Sequence, residues 1–345
     1  MQTLSTSPAD YAACGDGDLT LSRFQLTHGD RLARLQIKYR IEGPSVGPII
    51  AVFGGISADR HVCDQPAQNI YGWWRDLAGP GKAIDTNRVR VLSFDFIGGF
   101  GDSTGPDHNE WKDSDFPAID TRDQARALAL LLDYLGVDQL AAVVGSSYGG
   151  MIALSFGRLY GHRTQRVLAI SAADRALPSA TAFRSIQRDL LRLGLEQGCE
   201  TEALTLARAL AMVTYRCNDE LDQRFDARPG QAPGGFSFPV HAYLRSRGWA
   251  FARRATSRAY LTLSQSTDLH RLEGVDIECP VTLVASSSDR LIPPQQSRDF
   301  AERIAGPSRF HKIQSGYGHD AFLKEPDAIA AILRDELSTT EEVAA

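Results

Sequence analysis

An α/β fold, with a mostly parallel central sheet flanked by helices, is what this 345-residue sequence predicts. Three observations carry that expectation: short wholly apolar runs, helical segments between them, and one long helical stretch that breaks the alternation. Short apolar runs bounded by turn residues are strands buried on both faces, as a parallel sheet requires. Helical segments between such strands supply right-handed crossovers.

Taken in order, residues Leu19 to Tyr39 alternate apolar and polar positions around His28-Gly29-Asp30, which reads as an antiparallel hairpin at the sheet edge. The buried strands follow as PIIAVF from Pro48, VRVLSFDF from Val89, LAAVVG from Leu140, VLAIS from Val167 and VTLVAS from Val281. The clearest helix is DTRDQARALALLLDYLG: Asp120 caps its start, Leu128, Leu131, Leu132 and Leu135 recur at helical spacing, and Gly136 ends it. From Leu177 to His270 the sequence is mainly helical and rich in Arg and Leu, with ARPGQAPGG read as a loop. This region, 177–270, is expected to be a helical cap inserted into a core formed by 1–176 and 271–345. Low complexity is confined to the short tail after Leu337.

With 43% apolar and 23% charged residues and a net charge of −5, the chain can bury a full core, and its acidic balance argues against nucleic acid as a partner. Five scattered cysteines, Cys14, Cys63, Cys199, Cys217 and Cys279, form no CxxC pair and suit a reducing compartment. The N-terminal residues lack a basic-then-apolar leader, and no apolar run is long enough to cross a bilayer. A cytoplasmic protein without membrane association is therefore expected. No HExxH, Cys/His cluster or Walker-type glycine loop is present, so neither metal nor cofactor is expected.

The sharpest motif is Gly145-Ser146-Ser147-Tyr148-Gly149, a G-x-S-x-G turn between a strand and the helix-like MIALSFGRLYG. Small residues two before and two after the serine allow the backbones to pack closely while the turn holds the serine strained; Ser147, not Ser146, is flanked correctly. A serine hydroxyl needs a base, and the base a carboxylate that fixes its tautomer. Asp289, just past VTLVAS, and His319, in QSGYGHDAFL, complete the order Ser, Asp, His that belongs to the α/β-hydrolase fold. Two backbone N–H groups must face the developing oxyanion. Tyr148, after the nucleophile, and Ile56, in the Gly54-Gly55 loop of AVFGGIS, are the candidates.

From Pro48 to Lys324 the chain also resembles the homoserine O-acetyltransferase family of α/β-hydrolase-fold acyltransferases. The segments that carry the resemblance are GWWRDLAGPGKAIDT from Gly72, FDFIGGFGDSTGP around Asp95, LAMVTYRCNDELDQRF, AYLTLSQSTDLH ending at His270, SSSDRLIPP and SGYGHDAFL. The resemblance implies that Ser147 takes an acyl group from acyl-CoA, a co-substrate, and passes it to the hydroxyl of homoserine in methionine biosynthesis. It also implies that Arg208 and Tyr215 grip the acceptor carboxylate and Asp320 its ammonium; Ser57, beside Ile56, is counted with the substrate contacts. Family members are commonly dimers through their caps, which implies a homodimer. The chain departs from the family in Tyr148, where Met is usual, in GGIS, where a His-containing segment is usual, in a shorter DHNEWKDSD stretch and in a trimmed cap. Those changes bear on the acyl donor. The SDRL wording around Asp289 points to acetyl-CoA, with succinyl-CoA as donor and serine as acceptor the alternatives. An esterase or amidase using the same triad, and a binding protein that has lost catalysis, are the readings outside the family.

Overall fold

The computed structural model describes residues 14–111, 114–272 and 276–338. The end of the low-complexity tail, beyond Ser338, lies outside them. The expected hairpin is formed by β1 (Gly15–Gln25) and β2 (Arg31–Glu42), which pair antiparallel with Leu19 opposite Ile37 and Leu21 opposite Leu35. These four side chains are buried, so the alternation read from sequence turns one face of the hairpin inward.

The sheet continues through β3 (Ile49–Phe53), β4 (Arg90–Phe94), β5 (Ala142–Ser146), β6 (Val167–Ile170), β7 (Val281–Ser286) and β8 (Ser308–Ile313). Its eight strands run in the order β1-β2-β4-β3-β5-β6-β7-β8. Only the β1–β2 and β2–β4 pairs are antiparallel. Every residue of β3 to β7 is buried, and β3 shows why: Ala51 and Phe53 enter one core, Ile50 and Val52 the other. β8 was not among the expected strands. Its SRFHKI sequence is mostly polar because it closes the sheet as an edge strand, where one side stays wet.

The first crossover helix, α1 (Thr121–Leu135), starts in a capping box: the Asp120 carboxylate accepts from Arg122 N–H at 2.9 Å, and Asp123 accepts from Asp120 N–H at 2.9 Å. Gly136 ends it at φ 65°, a left-handed conformation that glycine adopts without strain. Its leucine stripe packs on α2 (Tyr148–Tyr160) beneath the sheet.

Among the described residues, five helices lie between β6 and β7: α3 (Pro178–Glu196), α4 (Glu200–Tyr215), α5 (Asn218–Arg224), α6 (Pro239–Ala252) and α7 (Ser257–Leu269). Four of them, α3, α4, α6 and α7, share a small apolar centre of Leu191, Leu204, Ala207, Phe251 and Tyr260. The ARPGQAPGG segment is not a plain loop. Gly230–Ala232 and Gly235–Ser237 pair as a short hairpin because Pro233-Gly234 supplies a tight turn, with Gly234 at φ 87°. Helices α8 (Pro294–Arg303), α9 (Ala321–Lys324) and α10 (Pro326–Ser338) complete the fold. Among the described residues no helix is long and apolar enough to cross a membrane.

Candidate active site

Ser147 sits between the end of β5 and the first residue of α2, with φ 53° and ψ −119°. A non-glycine residue holds such a backbone only where its surroundings enforce it. The enforcing contacts involve the two flanking glycines. A Cβ on Gly145 would collide with the Gly149 carbonyl, and one on Gly149 with the carbonyls of Phe53 and Gly54. Ser146 is fully buried, with a hydroxyl that has no hydrogen-bond partner among the described residues, and it does not line the cavity.

The three expected catalytic side chains meet. His319 Nε2 lies 2.7 Å from Ser147 Oγ, and its Nδ1 lies 2.7 Å from Asp289 Oδ2. The second carboxylate oxygen of Asp289 accepts from the N–H groups of Leu291 at 2.9 Å and Ile292 at 3.0 Å, which fixes the carboxylate from behind. With Asp289 ionised, Nδ1 carries the proton and Nε2 is free to accept one from the serine. Burial alone would lower the His319 pKa, but the Asp289 charge and hydrogen bond and the nearby Asp320 outweigh it and leave His319 above the ordinary imidazole value. Gly318 lets the histidine turn pass beneath the cap: it has φ 60°, and a Cβ there would come within 2.6 Å of the Tyr215 carbonyl.

Ile56 and Tyr148 both reach the cavity above Ser147. Among the described residues neither backbone N–H has a protein acceptor. Tyr148 opens α2, so the positive end of that helix faces the same place. Its side chain does not occupy the mouth of the site. The ring packs edge-on against Phe96 at 5.1 Å, and the hydroxyl, 2.8 Å from Ser266 Oγ, also accepts from Gln124 at 3.3 Å. The Met-to-Tyr departure is thus absorbed by a buried polar pocket between α1 and α7.

Helices α3, α4 and α7 roof the cavity, and Tyr215 lies in its wall with its ring 6.0 Å from that of His319. Arg208 stands one ring further out, its guanidinium 5.3 Å from the centre of Tyr215 and 4.6 Å from that of Phe251. Among the described residues it has no carboxylate partner. Asp320 is placed differently from a free ammonium acceptor. Its Oδ2 is 3.2 Å from Arg216 Nε, and burial raises its pKa against the pull of Arg216, His319 and Arg208. Ser57 follows Ile56 in the same turn but does not line the cavity. Arg290 does not line it either. Its guanidinium donates to the carbonyls of Val213 at 3.1 Å and Arg216 at 3.3 Å, capping α4.

The pattern of the Alpha/beta hydrolase family matches residues 71–332. The chain is 38% identical over 328 residues to the homoserine O-succinyltransferase of Xanthomonas campestris pv. campestris, covering 95% of this chain and 85% of that one. The homoserine O-acetyltransferase of Moorella thermoacetica is 32% identical over 343 residues, covering 90% and 92%. This chain belongs to the homoserine O-acyltransferase family of α/β hydrolases. The crystal structure of homoserine O-acetyltransferase from Bacillus anthracis superposes with a TM-score of 0.85 at 19% identity, covering 93% of this chain and 97% of that one, and shows the same fold.

In this acyltransferase, sequence reasoning missed one wall of the cavity. Arg184 of α3 lines it, and with Arg188 it shares the single carboxylate of Asp268 on α7. The Arg184 Nε to Asp268 Oδ1 distance is 2.7 Å and Arg188 Nη1 to Oδ2 is 2.6 Å, so two guanidinium groups share one carboxylate, with Arg184 alone of the two reaching the cavity. Arg184 and Arg188 stand four apart on one helix face, a visible signal, but nothing in the sequence says that this face meets α7.

Proposed function

We propose that this enzyme is an acyl-CoA:L-homoserine O-acyltransferase of methionine biosynthesis that works by a ping-pong route through acyl-Ser147. The observation that carries the reading is the Ser147–His319–Asp289 chain of 2.7 Å contacts under a helical roof, in a chain of this family. Ser147 Oγ gives its proton to His319 Nε2 as it attacks the thioester carbonyl. The N–H groups of Ile56 and Tyr148 receive the oxyanion. Collapse of the tetrahedral adduct expels the CoA thiolate, which takes the proton from His319. In the second half, the homoserine hydroxyl gives its proton to His319 as it attacks acyl-Ser147, and collapse returns that proton to Ser147 Oγ. Arg208, stacked and without a partner carboxylate, takes the acceptor carboxylate beside Tyr215; Asp320, shared with Arg216, receives the ammonium. Holding the acceptor hydroxyl at the acyl carbonyl is what lets it outcompete water.

A free-thiol release assay crossing acetyl-CoA and succinyl-CoA with homoserine and serine tests the reading. Release that depends on homoserine supports transfer, whereas release at the same rate without an acceptor makes the protein a hydrolase. For the donor, succinyl-CoA is favoured over acetyl-CoA by one observation, the Arg184 guanidinium in the cavity wall, whose partner Asp268 is shared with Arg188 and which suits an acyl group ending in a carboxylate. Arg184→Leu should then lower turnover of succinyl-CoA far more than that of acetyl-CoA. Equal losses with both donors would remove Arg184 from donor selection.

We further take residues 177–270 as a cap that both roofs the site and pairs the subunits. Ile186 and Leu193 stand on one side of α3, exposed by 54% and 55%, an apolar surface that suits a homodimer through the caps. Light scattering of Ile186→Glu against the parent chain tests this. The five free cysteines agree with a cytoplasmic setting. Small molecules are the partners of this chemistry, and neither nucleic acid nor membrane takes part in it.

A further inference from the structure

The GWW segment after β3 supplies none of the reacting groups, yet it touches both loops that carry them. Its backbone is pinned by Trp73 N–H to the His61 carbonyl at 3.1 Å and Trp74 N–H to the Val62 carbonyl at 3.1 Å. Gly72 is required there, because a Cβ would collide with the backbone of Val62 and Cys63. The two indoles stack, with ring centres 5.2 Å apart and planes 20° from parallel.

Each indole meets a different half of the active site. Trp74 is buried, and its Nε1 donates to the Phe322 carbonyl at 3.1 Å, just past the turn that carries His319. The Phe322 ring stands edge-on to His319 at 6.2 Å. Trp73 packs close against the oxyanion loop: a Cβ on Gly54 would be 2.9 Å from its Cε2 and Cζ2 atoms. The Gly54 carbonyl in turn accepts from Gly149 N–H at 2.9 Å, at the elbow. Gly55 closes the circuit. A Cβ there would lie 3.5 Å from Phe322 and 3.8 Å from the Ser147 Cβ.

We propose that the stacked Trp73–Trp74 pair is a positioning unit that holds the oxyanion loop and the His319 turn at a fixed spacing on either side of Ser147. The two rings act by different means. The buried Trp73 Nε1 has no hydrogen-bond partner among the described residues, so Trp73 works by shape, whereas Trp74 works through its hydrogen bond. Neither residue lines the substrate cavity, so both act through others and leave homoserine binding alone. The inference rests on the roles given to Ile56, Tyr148 and His319 above.

The test is the rate at which a fluorophosphonate labels Ser147, a reaction that needs nucleophile, base and oxyanion donors but neither natural substrate. Trp74→Phe keeps the ring packing and strands the Phe322 carbonyl. It should slow labelling and kcat together by roughly tenfold to a hundredfold, as expected for a small misplacement of a reacting group, with the KM for homoserine unchanged. Because the imidazole is then held less firmly against Asp289, the acid limb of its pH profile should move down toward the ordinary imidazole range. Trp73→Phe strands no polar group and should slow labelling while leaving that limb in place. Rates are taken per labelled site at the end point, so partly unfolded material does not count. Failure of the parent enzyme to label at Ser147 would overturn the triad reading itself. Parent-like labelling rates in both variants, or losses confined to the KM for homoserine, would overturn the positioning role while leaving the triad in place.

Discussion

Arg208→Ala separates a transferase from a hydrolase at a single side chain. In the free enzyme this guanidinium lies 4.6 Å and 5.3 Å from two ring centres and, among the described residues, forms no ion pair. Its removal breaks no ion pair, although it takes away one of the cations whose pull offsets the burial of Asp320. The loss to stability is limited to two cation–ring contacts, each worth about 0.5–1 kcal/mol at a half-exposed site. The loss to acceptor binding is larger, because the homoserine carboxylate is left without its partner in a roofed cavity, at about 2–5 kcal/mol. That range corresponds to roughly 30-fold to several thousand-fold in kcat/KM for homoserine. Acylation of Ser147 comes before homoserine is needed, so the pre-steady-state burst of free CoA should survive. Stopped-flow thiol detection measures both phases in one experiment. An unchanged kcat/KM for homoserine would refute the acceptor assignment, and loss of the burst would place Arg208 on the CoA side.

Three further outcomes are expected. Ser147→Ala should abolish the burst while the protein stays folded, and Ser147→Gly should raise the melting temperature, because glycine relieves the strain of φ 53°; equal melting temperatures for the two variants would show that the elbow stores no strain. The shift at His319 fixes a sign. Since its pKa lies above the ordinary imidazole value, neutral base is lost, and the rate falls, as pH drops through a point above that value. The stability it contributes runs the other way: it is fully present below the unfolded imidazole pKa and lost as pH rises through the raised one. A pH–rate profile flat across the imidazole range, with chemistry rate-limiting, would remove His319 as the base. Gly149→Ala should either prevent folding or displace the oxyanion loop, since its Cβ would strike the carbonyls of Phe53 and Gly54; a soluble variant with full activity, measured by thiol release, would contradict the close packing of the elbow.

The stretches most legible in the sequence were those where a local rule and the global fold agree. The α1 helix has its cap, stripe and stop within one segment, and Asp120, Leu132 and Gly136 serve as the sequence implies. The buried strands announced themselves because every residue of β3 to β7 faces one core or the other. β8 did not, because an edge strand needs no apolar run. The ARPGQAPGG hairpin hid behind glycine and proline, which mark a turn without saying whether its arms pair.

The sequence by itself determined the chemistry: a serine in an elbow that only glycines can flank, followed in chain order by an acid and a base that the fold brings within hydrogen-bond reach. That much is legible because backbone sterics at the elbow restrict residue type within five positions, and a local restriction leaves a local signature. The surroundings of the reacting groups were decided by tertiary structure. Asp320 became the partner of Arg216, Arg290 a cap for α4, and Arg184 a cavity residue that shares Asp268 with Arg188. Each of these depends on which helix faces meet when the cap folds over the sheet. A charge pair between residues some 80 positions apart, such as Arg188 and Asp268, constrains neither neighbourhood in the chain, so its meaning exists only once the two helices touch.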